Sequence, residues 1–210
     1  MWRRSRGLAL VALTTACAAD VPSVSARYDP ATLRLVEIVS DLNRDGRPDH
    51  WAYMNGTRVQ RAEIDGDGDG RVDRWEYYLP DGSLQRVGTS SAGDGVADSW
   101  AWAEDATGER RVDVASSRDG VVDRREFYRG DALVRVEQDA DRDGRVETWQ
   151  IFEEGRLREV RIDTSGRGTA DRRLVYDRDG RFVGVWVDAD GDGAFDPVPA
   201  DAGTASVKVR

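Results

Sequence analysis

The chain of 210 residues contains one cysteine, Cys17, and one histidine, His50. A lone cysteine excludes an intramolecular disulfide. A lone histidine, with no serine beside a base, leaves no residues from which a catalytic triad can be assembled. The longest apolar run, Leu8 to Ala16, is too short for a membrane-spanning helix. No basic stripe is present, and a net charge of −9 opposes binding to a phosphate backbone, which requires Lys and Arg to release counterions. Nucleic acid is therefore excluded as a partner. The Gly-x-Gly strings are interleaved with Asp, which repels phosphate where a phosphate loop would cradle it. No amphipathic helical pattern flanks any acidic segment.

What the chain has in excess is one acidic nonapeptide, repeated seven times from Asp41 to Asp196, with starts at positions 41, 65, 90, 115, 139, 163 and 188. A short fixed period indicates a repeat array whose units bury surface against their neighbours. The clearest copies are DLNRDGRPD (Asp41 to Asp49), DGDGDGRVD (Asp65 to Asp73), DADRDGRVE (Asp139 to Glu147) and DADGDGAFD (Asp188 to Asp196). Each places oxygen side chains at loop positions 1, 3, 5 and 9 and Gly at 6. Calcium takes six to eight hard oxygen ligands, and a tightly wound loop aims side chains 1, 3 and 5 and the carbonyl of 7 at one point. The expected ligands are Asp41, Asn43, Asp45 and Asp49; Asp65, Asp67, Asp69 and Asp73; Asp139, Asp141, Asp143 and Glu147; Asp188, Asp190, Asp192 and Asp196.

The other three loops depart from this set. Loop 90 offers Ser90, Ala92, Asp94 and Asp98, and loop 115 offers Ala115, Ser117, Asp119 and Asp123; both are expected to bind weakly or not at all. Loop 163 carries Arg167 at position 5, and its guanidinium is expected to replace the cation by pairing with Asp163 and Asp171.

Between loops, aromatic residues alternate (Trp51 and Tyr53, Trp75 and Tyr77, Trp100 and Trp102, Trp149 and Ile151), which is the period of a strand. Turn sequences follow, such as Asn55-Gly56, Glu154-Gly155 and Asp179-Gly180, and then a second alternating run. The expected fold is all-β: tandem hairpins of about 24–25 residues forming a twisted antiparallel meander or superhelical array, with acidic loops along one edge. Each hairpin is expected to have one aromatic and aliphatic face, rolled inward, and one face of alternating Arg and Glu. Leu33 to Ser40 reads as an unpartnered strand capping the array. The expected organisation is a leader over 1–16, a tether over 17–30, the repeat domain over 31–196 and a disordered tail over 197–210.

The loops resemble thrombospondin type 3 and dockerin-type calcium loops, which share D-x-D-x-D-G-x-x-D. The resemblance covers 41–196 through the loops alone and implies calcium as the bound ion. Those families keep an acidic ligand at position 12, which here is Glu76 or Glu126 in two copies and Ala52, Ala101, Gln150 or Leu174 elsewhere. The first segment, with Arg3, Arg4 and Arg6 before the apolar run and Thr14-Thr15-Ala16-Cys17 after it, resembles a bacterial lipoprotein signal. That likeness implies lipidation at Cys17 and, with Ala18 following, outer-membrane anchoring on the periplasmic or surface face. Calcium, the membrane through the lipid, and a protein or glycan at the cell surface are the expected partners. The expected function is a non-enzymatic spacer or interaction platform. The second reading is a glycan or cell-wall module, because the Trp51, Trp75, Trp100 and Trp149 ladder resembles choline-binding repeats.

Overall fold

Fifteen strands, each tied to the next by a turn or an acidic loop, make up residues 23–198, the part of the chain that the computed structural model describes. They are β1 (Ser23–Tyr28), β2 (Leu35–Asp41), β3 (His50–Asn55), β4 (Arg58–Ile64), β5 (Arg74–Tyr78), β6 (Leu84–Thr89), β7 (Ser99–Trp102), β8 (Glu109–Val114), β9 (Arg124–Arg129), β10 (Ala132–Gln138), β11 (Thr148–Glu153), β12 (Arg156–Ile162), β13 (Arg172–Tyr176), β14 (Phe182–Val187) and β15 (Asp196–Pro197). All belong to one antiparallel sheet in sequence order. Among the described residues, the backbone of each strand lies beside those of its sequence neighbours alone, so the sheet is open and one layer thick. At the usual strand spacing of 4.7–4.9 Å it is roughly 70 Å across.

The turns follow from local chemistry. Glu154 and Gly155 both have positive φ, 51° and 75°, which a two-residue turn of the primed type requires. The longer turns are closed by an aspartate: Asp177 Oδ1 accepts the amides of Asp179 and Arg181, each at 2.9 Å. Near most of these turns the register shifts, as between Tyr53 and Met54 or Tyr77 and Tyr78. Such bulges raise the local twist of the sheet.

The cross-strand register overturns the expected division into an apolar and a charged face. Trp51 stands opposite Glu63, and Tyr53 opposite Arg61; the pattern repeats as Trp149 opposite Glu137 and Phe127 opposite Arg135. Directly opposed residues share a face, so the aromatics and the Arg and Glu residues form a single lattice. Arg61 lies 4.1 Å from the Tyr53 ring centre, Arg135 3.9 Å from Phe127, and Arg111 4.5 Å from Trp102. Each such contact stabilises by about 0.5–1 kcal/mol at exposed sites. The other face carries a row of small and aliphatic residues interrupted by two glutamates: Ile38, Ala52, Ala62, Glu76, Val87, Ala101, Val112, Glu126 and Val136. With no second layer to cover them, the buried apolar residues are few: Ala52, Ala62, Ala115 and Val136.

The ends of the array also differ from expectation. Residues 23–28, assigned to the tether, form β1 and pair with β2 from Ser23 opposite Asp41 to Tyr28 opposite Leu35. The cap is therefore a full hairpin: Ser23–Tyr28 alternates polar and apolar residues as a strand does, but it lacks the aromatic pair that marks the later hairpins and no acidic loop precedes it, and it pairs with β2 along its whole length. At the far end, Asp196–Pro197 makes the short strand β15 against β14. The leader over 1–16, Cys17 and the tail beyond Val198 lie outside the described residues.

Gly88 opposes Trp100, and a Cβ there would stand 2.6 Å from the indole. Gly88→Ala is expected to destabilise the chain by about 1–3 kcal/mol through overpacking. Gly184→Ala, where the nearest ring atom is 3.3 Å away, should cost less. Urea denaturation of the two variants makes the comparison.

Candidate metal sites

Each acidic loop joins the end of one hairpin to the start of the next, so all of the loops lie along one edge. Their spacing is held by backbone bonds. The position 9 amide donates to the residue just before the loop, as in Asp73 N to Ile64 O at 2.8 Å. The position 9 carbonyl then accepts the position 1 amide of the next loop, as in Asp65 N to Asp49 O at 2.9 Å and Asp163 N to Glu147 O at 2.8 Å. This anchoring buries the terminal aspartates: Asp41, Asp49, Asp65, Asp98, Asp123, Asp139 and Asp163 are all among the buried residues.

Within a loop, the acidic side chains are held by amides. At position 1, Asp65 accepts from Gly68 and Gly70, both at 2.8 Å. At position 3, Asp67 accepts from Asp69 N at 3.1 Å, and at position 5, Asp69 accepts from Arg71 N at 2.8 Å. At position 9, Asp73 reaches back to Gly66 N at 2.8 Å. Positions 4 and 6 are left-handed throughout, with Gly at 6 in every copy and Arg44, Arg118 or Arg142 at 4 in three of them. The winding turns the acidic side chains toward one another.

Among the described residues, three loops bring carboxylates to within 4.8 Å of one another: Asp65, Asp67 and Asp73; Asp139, Asp141, Asp143 and Glu147; Asp188, Asp190 and Asp192. Loop 139 alone gathers its whole set. Its Asp139 is 7% exposed, and Oδ1 has no hydrogen-bond partner, whereas Oδ2 accepts Gly144 N at 2.9 Å. A buried carboxylate oxygen left without a donor is costly unless a cation supplies the missing interaction. The oxygen-only donor set suits a hard cation such as calcium.

Other expected ligands are placed differently. Asp69 and Asp196 stand outside their clusters, Asp196 because it begins β15. Loop 41 forms no such group: Asn43 Nδ2 donates to Asp45 Oδ2 at 3.3 Å, and Asp49 accepts the amides of Leu42 and Asn43. Glu76 is not a loop ligand. It lies two residues into β5, on the aliphatic face, where it accepts from Arg74 Nε at 2.7 Å and from the Tyr78 hydroxyl. An exiting strand runs straight away from the loop, so position 12 cannot turn back to it. Burial and the Glu76 carboxylate together push the Tyr78 hydroxyl up to about 12.

The depleted loops are closed without a carboxylate cluster. In loop 90, Ser90 Oγ donates to Asp94 at 3.1 Å and Ser91 Oγ to Asp98 at 2.6 Å. In loop 115, the guanidinium of Arg142, which belongs to loop 139, donates to Asp119 Oδ2 at 2.7 Å, to Asp123 Oδ2 at 3.1 Å and to Ser117 Oγ. Loop 163 does not contain the expected internal ion pair. Arg167 Nε donates to Ser165 Oγ at 3.0 Å, while Asp163 is held by Ser165 and Gly168 N and Asp171 by Thr164. A guanidinium does lie among the ligand positions of loop 115, but it is that of Arg142 from the neighbouring loop.

The aromatic ladder is largely occupied by its own contacts. Trp75 and Trp100 pack with ring centres 6.4 Å apart and planes tilted by 40°, and Arg86 lies 4.5 Å from the Trp100 ring centre. Trp149 instead lines a cleft of about 600 Å³ shared with Ile151, Arg135, Arg161, Arg167 and Asp188. Trp51 belongs to the same lattice, between Val39 and Glu63.

No protein-family model matches the chain, and no curated protein matches it. Among solved structures, an S. aureus TarM mutant in complex with fondaparinux, α-GlcNAc-glycerol and UDP aligns with a TM-score of 0.32 and 13% identity. The alignment covers 55% of this chain and 20% of that one, and a likeness of this size carries no argument.

Asp163 gives these loops a pH signature. Burial works to raise its carboxyl, but hydrogen bonds from the Ser165 hydroxyl and from the amides of Gly168, Ser165 and Arg167 outweigh that and hold it at about 2, against an ordinary 3.8. A depressed carboxyl contributes stability above its unfolded value and loses it as pH falls through the folded one. Asp163→Asn should therefore lie below the parent in urea midpoint at pH 5, and the gap should close between pH 4 and about 2.

Proposed function

We propose that this chain is a calcium-stabilised, non-enzymatic repeat protein that serves as a spacer or interaction platform in a bacterial cell envelope. A lipid on Cys17 would hold it to the outer membrane. The single observation that carries the reading is the Asp139 loop, in which four carboxylates converge and one buried oxygen lacks a donor. Asp139, Asp141, Asp143 and Glu147 would hold one ion, Asp65, Asp67 and Asp73 a second, and Asp188, Asp190 and Asp192 a third. The ion supplies the charge compensation that folding removes when water is stripped from these carboxylates.

The shape supports the spacer role. An open sheet of fifteen strands in sequence order converts 176 described residues into an extended ribbon. Stability in such an array is the sum of units and their contacts, so each ion strengthens the strands on both sides of its loop. Binding that favours only the folded chain contributes about 2.7 kcal/mol per site at a hundredfold excess over Kd. Affinities of about 10⁻⁴–10⁻³ M, usual for extracellular modules, suit an exported protein.

Calcium at such an excess should raise the melting temperature by roughly 10 °C or more relative to the chelated chain. Titration calorimetry should count the three carboxylate clusters. Equal melting with and without calcium, together with a silent titration, would contradict the reading.

A second reading, glycan binding, is favoured by the cleft around Trp149. Quenching of tryptophan fluorescence by added oligosaccharides, lost in Trp149→Ala, would support it. Fluorescence that responds to calcium alone would not.

A further inference from the structure

Position 4 of three acidic loops, at Gly68, Gly93 and Arg142, abuts the ligand centre of the loop before it. A Cβ at Gly68 would stand 3.4 Å from Asn43 Nδ2 and 3.7 Å from Asp45 Oδ2. One at Gly93 would stand 3.9 Å from Asp67 Oδ2 and 4.0 Å from Asp73 Oδ1. Arg142 holds the same position in loop 139, and its long side chain reaches the centre of loop 115, contacting Ser117, Asp119 and Asp123. The left-handed backbone does not by itself impose glycine there, since Arg44, Arg118 and Arg142 adopt it with φ of 65°, 58° and 64°.

The residue at position 4 tracks the ligand set of the preceding loop. Loops 41, 65 and 139, which keep oxygen ligands at positions 1, 3, 5 and 9, are followed by Gly68, Gly93 and Gly166. Loops 90 and 115, which have lost carboxylates, are followed by Arg118 and Arg142. Loop 163 is followed by Gly191 but carries its own guanidinium, with Arg167 Nη1 3.5 Å from where a Gly191 Cβ would lie. In sequence, a loop with a full ligand set is thus followed by glycine, and a depleted loop is followed by arginine or carries its own; of the two following arginines, Arg142 is the one whose guanidinium hydrogen-bonds the loop before it.

We propose that position 4 selects the cation of the preceding loop: glycine leaves room for a divalent metal ion, and arginine supplies a tethered guanidinium in its place. Loop 115 is the guanidinium case, with Arg142 as its cation. Loop 139 is the metal case, with Asp139 Oδ1 buried and undonated beside three further carboxylates. The guanidinium crosslinks two neighbouring loops without metal, so the middle of the array would stay joined when calcium is scarce while the loops around it loosen. The metal half of this proposal rests on the calcium reading above; the guanidinium half does not.

Exchange of the two residue types tests it in the purified chain. Gly166 lies beside loop 139, whose Arg145 Nη1 donates to the Gly166 carbonyl at 3.0 Å, and a Cβ there meets nothing within 4 Å, so a longer side chain has room. Gly166→Arg should bind one calcium ion fewer than Gly166→Ala by titration calorimetry, and should melt higher than Gly166→Ala in chelator. The alanine variant carries the same left-handed strain and isolates the charge. Arg142→Gln should melt below the parent in chelator, with its calcium count not reduced. An undiminished calcium count in Gly166→Arg, or chelated melting of Arg142→Gln equal to that of the parent, would overturn the selector. A parent that binds no calcium would contradict the metal reading alone, and the chelator measurements would still decide the guanidinium half.

Discussion

Carboxylates stacked along one edge of a single-layer sheet govern this architecture. Successive loops are two strands apart, or roughly 10 Å. Unit charges at that distance repel by about 0.4 kcal/mol in water and about 1.7 kcal/mol at an effective dielectric near 20. A two-layer protein can absorb such a term in its core. Among the described residues this sheet has no second layer, and Val136 is the one large side chain that is fully buried. Each loop therefore has to neutralise its own charge, and each does so by a local device: amides at every position, serine hydroxyls in loop 90, a neighbour's arginine in loop 115, and an arrangement open to a cation in loops 65, 139 and 188.

The faces of the sheet obey the same constraint. Exposure on both sides rules out a purely apolar face, and the chain answers with a lattice in which arginine alternates with aromatic rings. Arg86 shows how this works: it lies over Tyr77, Trp100 and Trp102 at 4.4, 4.5 and 5.1 Å, covering apolar surface with a guanidinium whose Nε is buried among the rings. Tyr53 donates to Glu63 at 2.7 Å and Trp102 to Asp113 at 2.7 Å, so polar edges of the rings are satisfied within the same layer. The opposite face carries the small and aliphatic residues, relieved at intervals by Glu76 and Glu126 with their Arg and Tyr partners. Such a ribbon can be long and thin without a core.

Much of this was legible in the sequence, because the period of the acidic loops and the alternation of Trp and Tyr both reflect backbone geometry. Strand, turn and loop follow in order from Asp41 to Asp196, as the period predicts for an all-β antiparallel meander, whereas the openness of the sheet is not written in that period. What was not legible depended on register. Trp51 and Glu63 are twelve residues apart in sequence, and only the pairing across β3 and β4 puts them on one face. Glu76 fits a loop template by spacing, yet the strand that follows position 9 carries it away. Arg142 lies in one loop and acts in the loop before, 19 to 25 residues upstream. Its signal was present as arginine where sister loops have glycine, but its meaning required knowing which loop it faces. The strand Ser23–Tyr28 has no aromatic alternation of its own and is recruited by β2.

The central claim is that divalent ions hold the acidic edge in order, and amide hydrogen exchange resolves that edge residue by residue. With calcium, the amides of Gly70, Gly144 and Gly193, which donate to the first aspartate of their loops, should exchange much more slowly than in chelator, while those of Gly56 and Gly155 in the opposite turns should change little. Identical protection of the three loop amides in the two conditions would contradict the account.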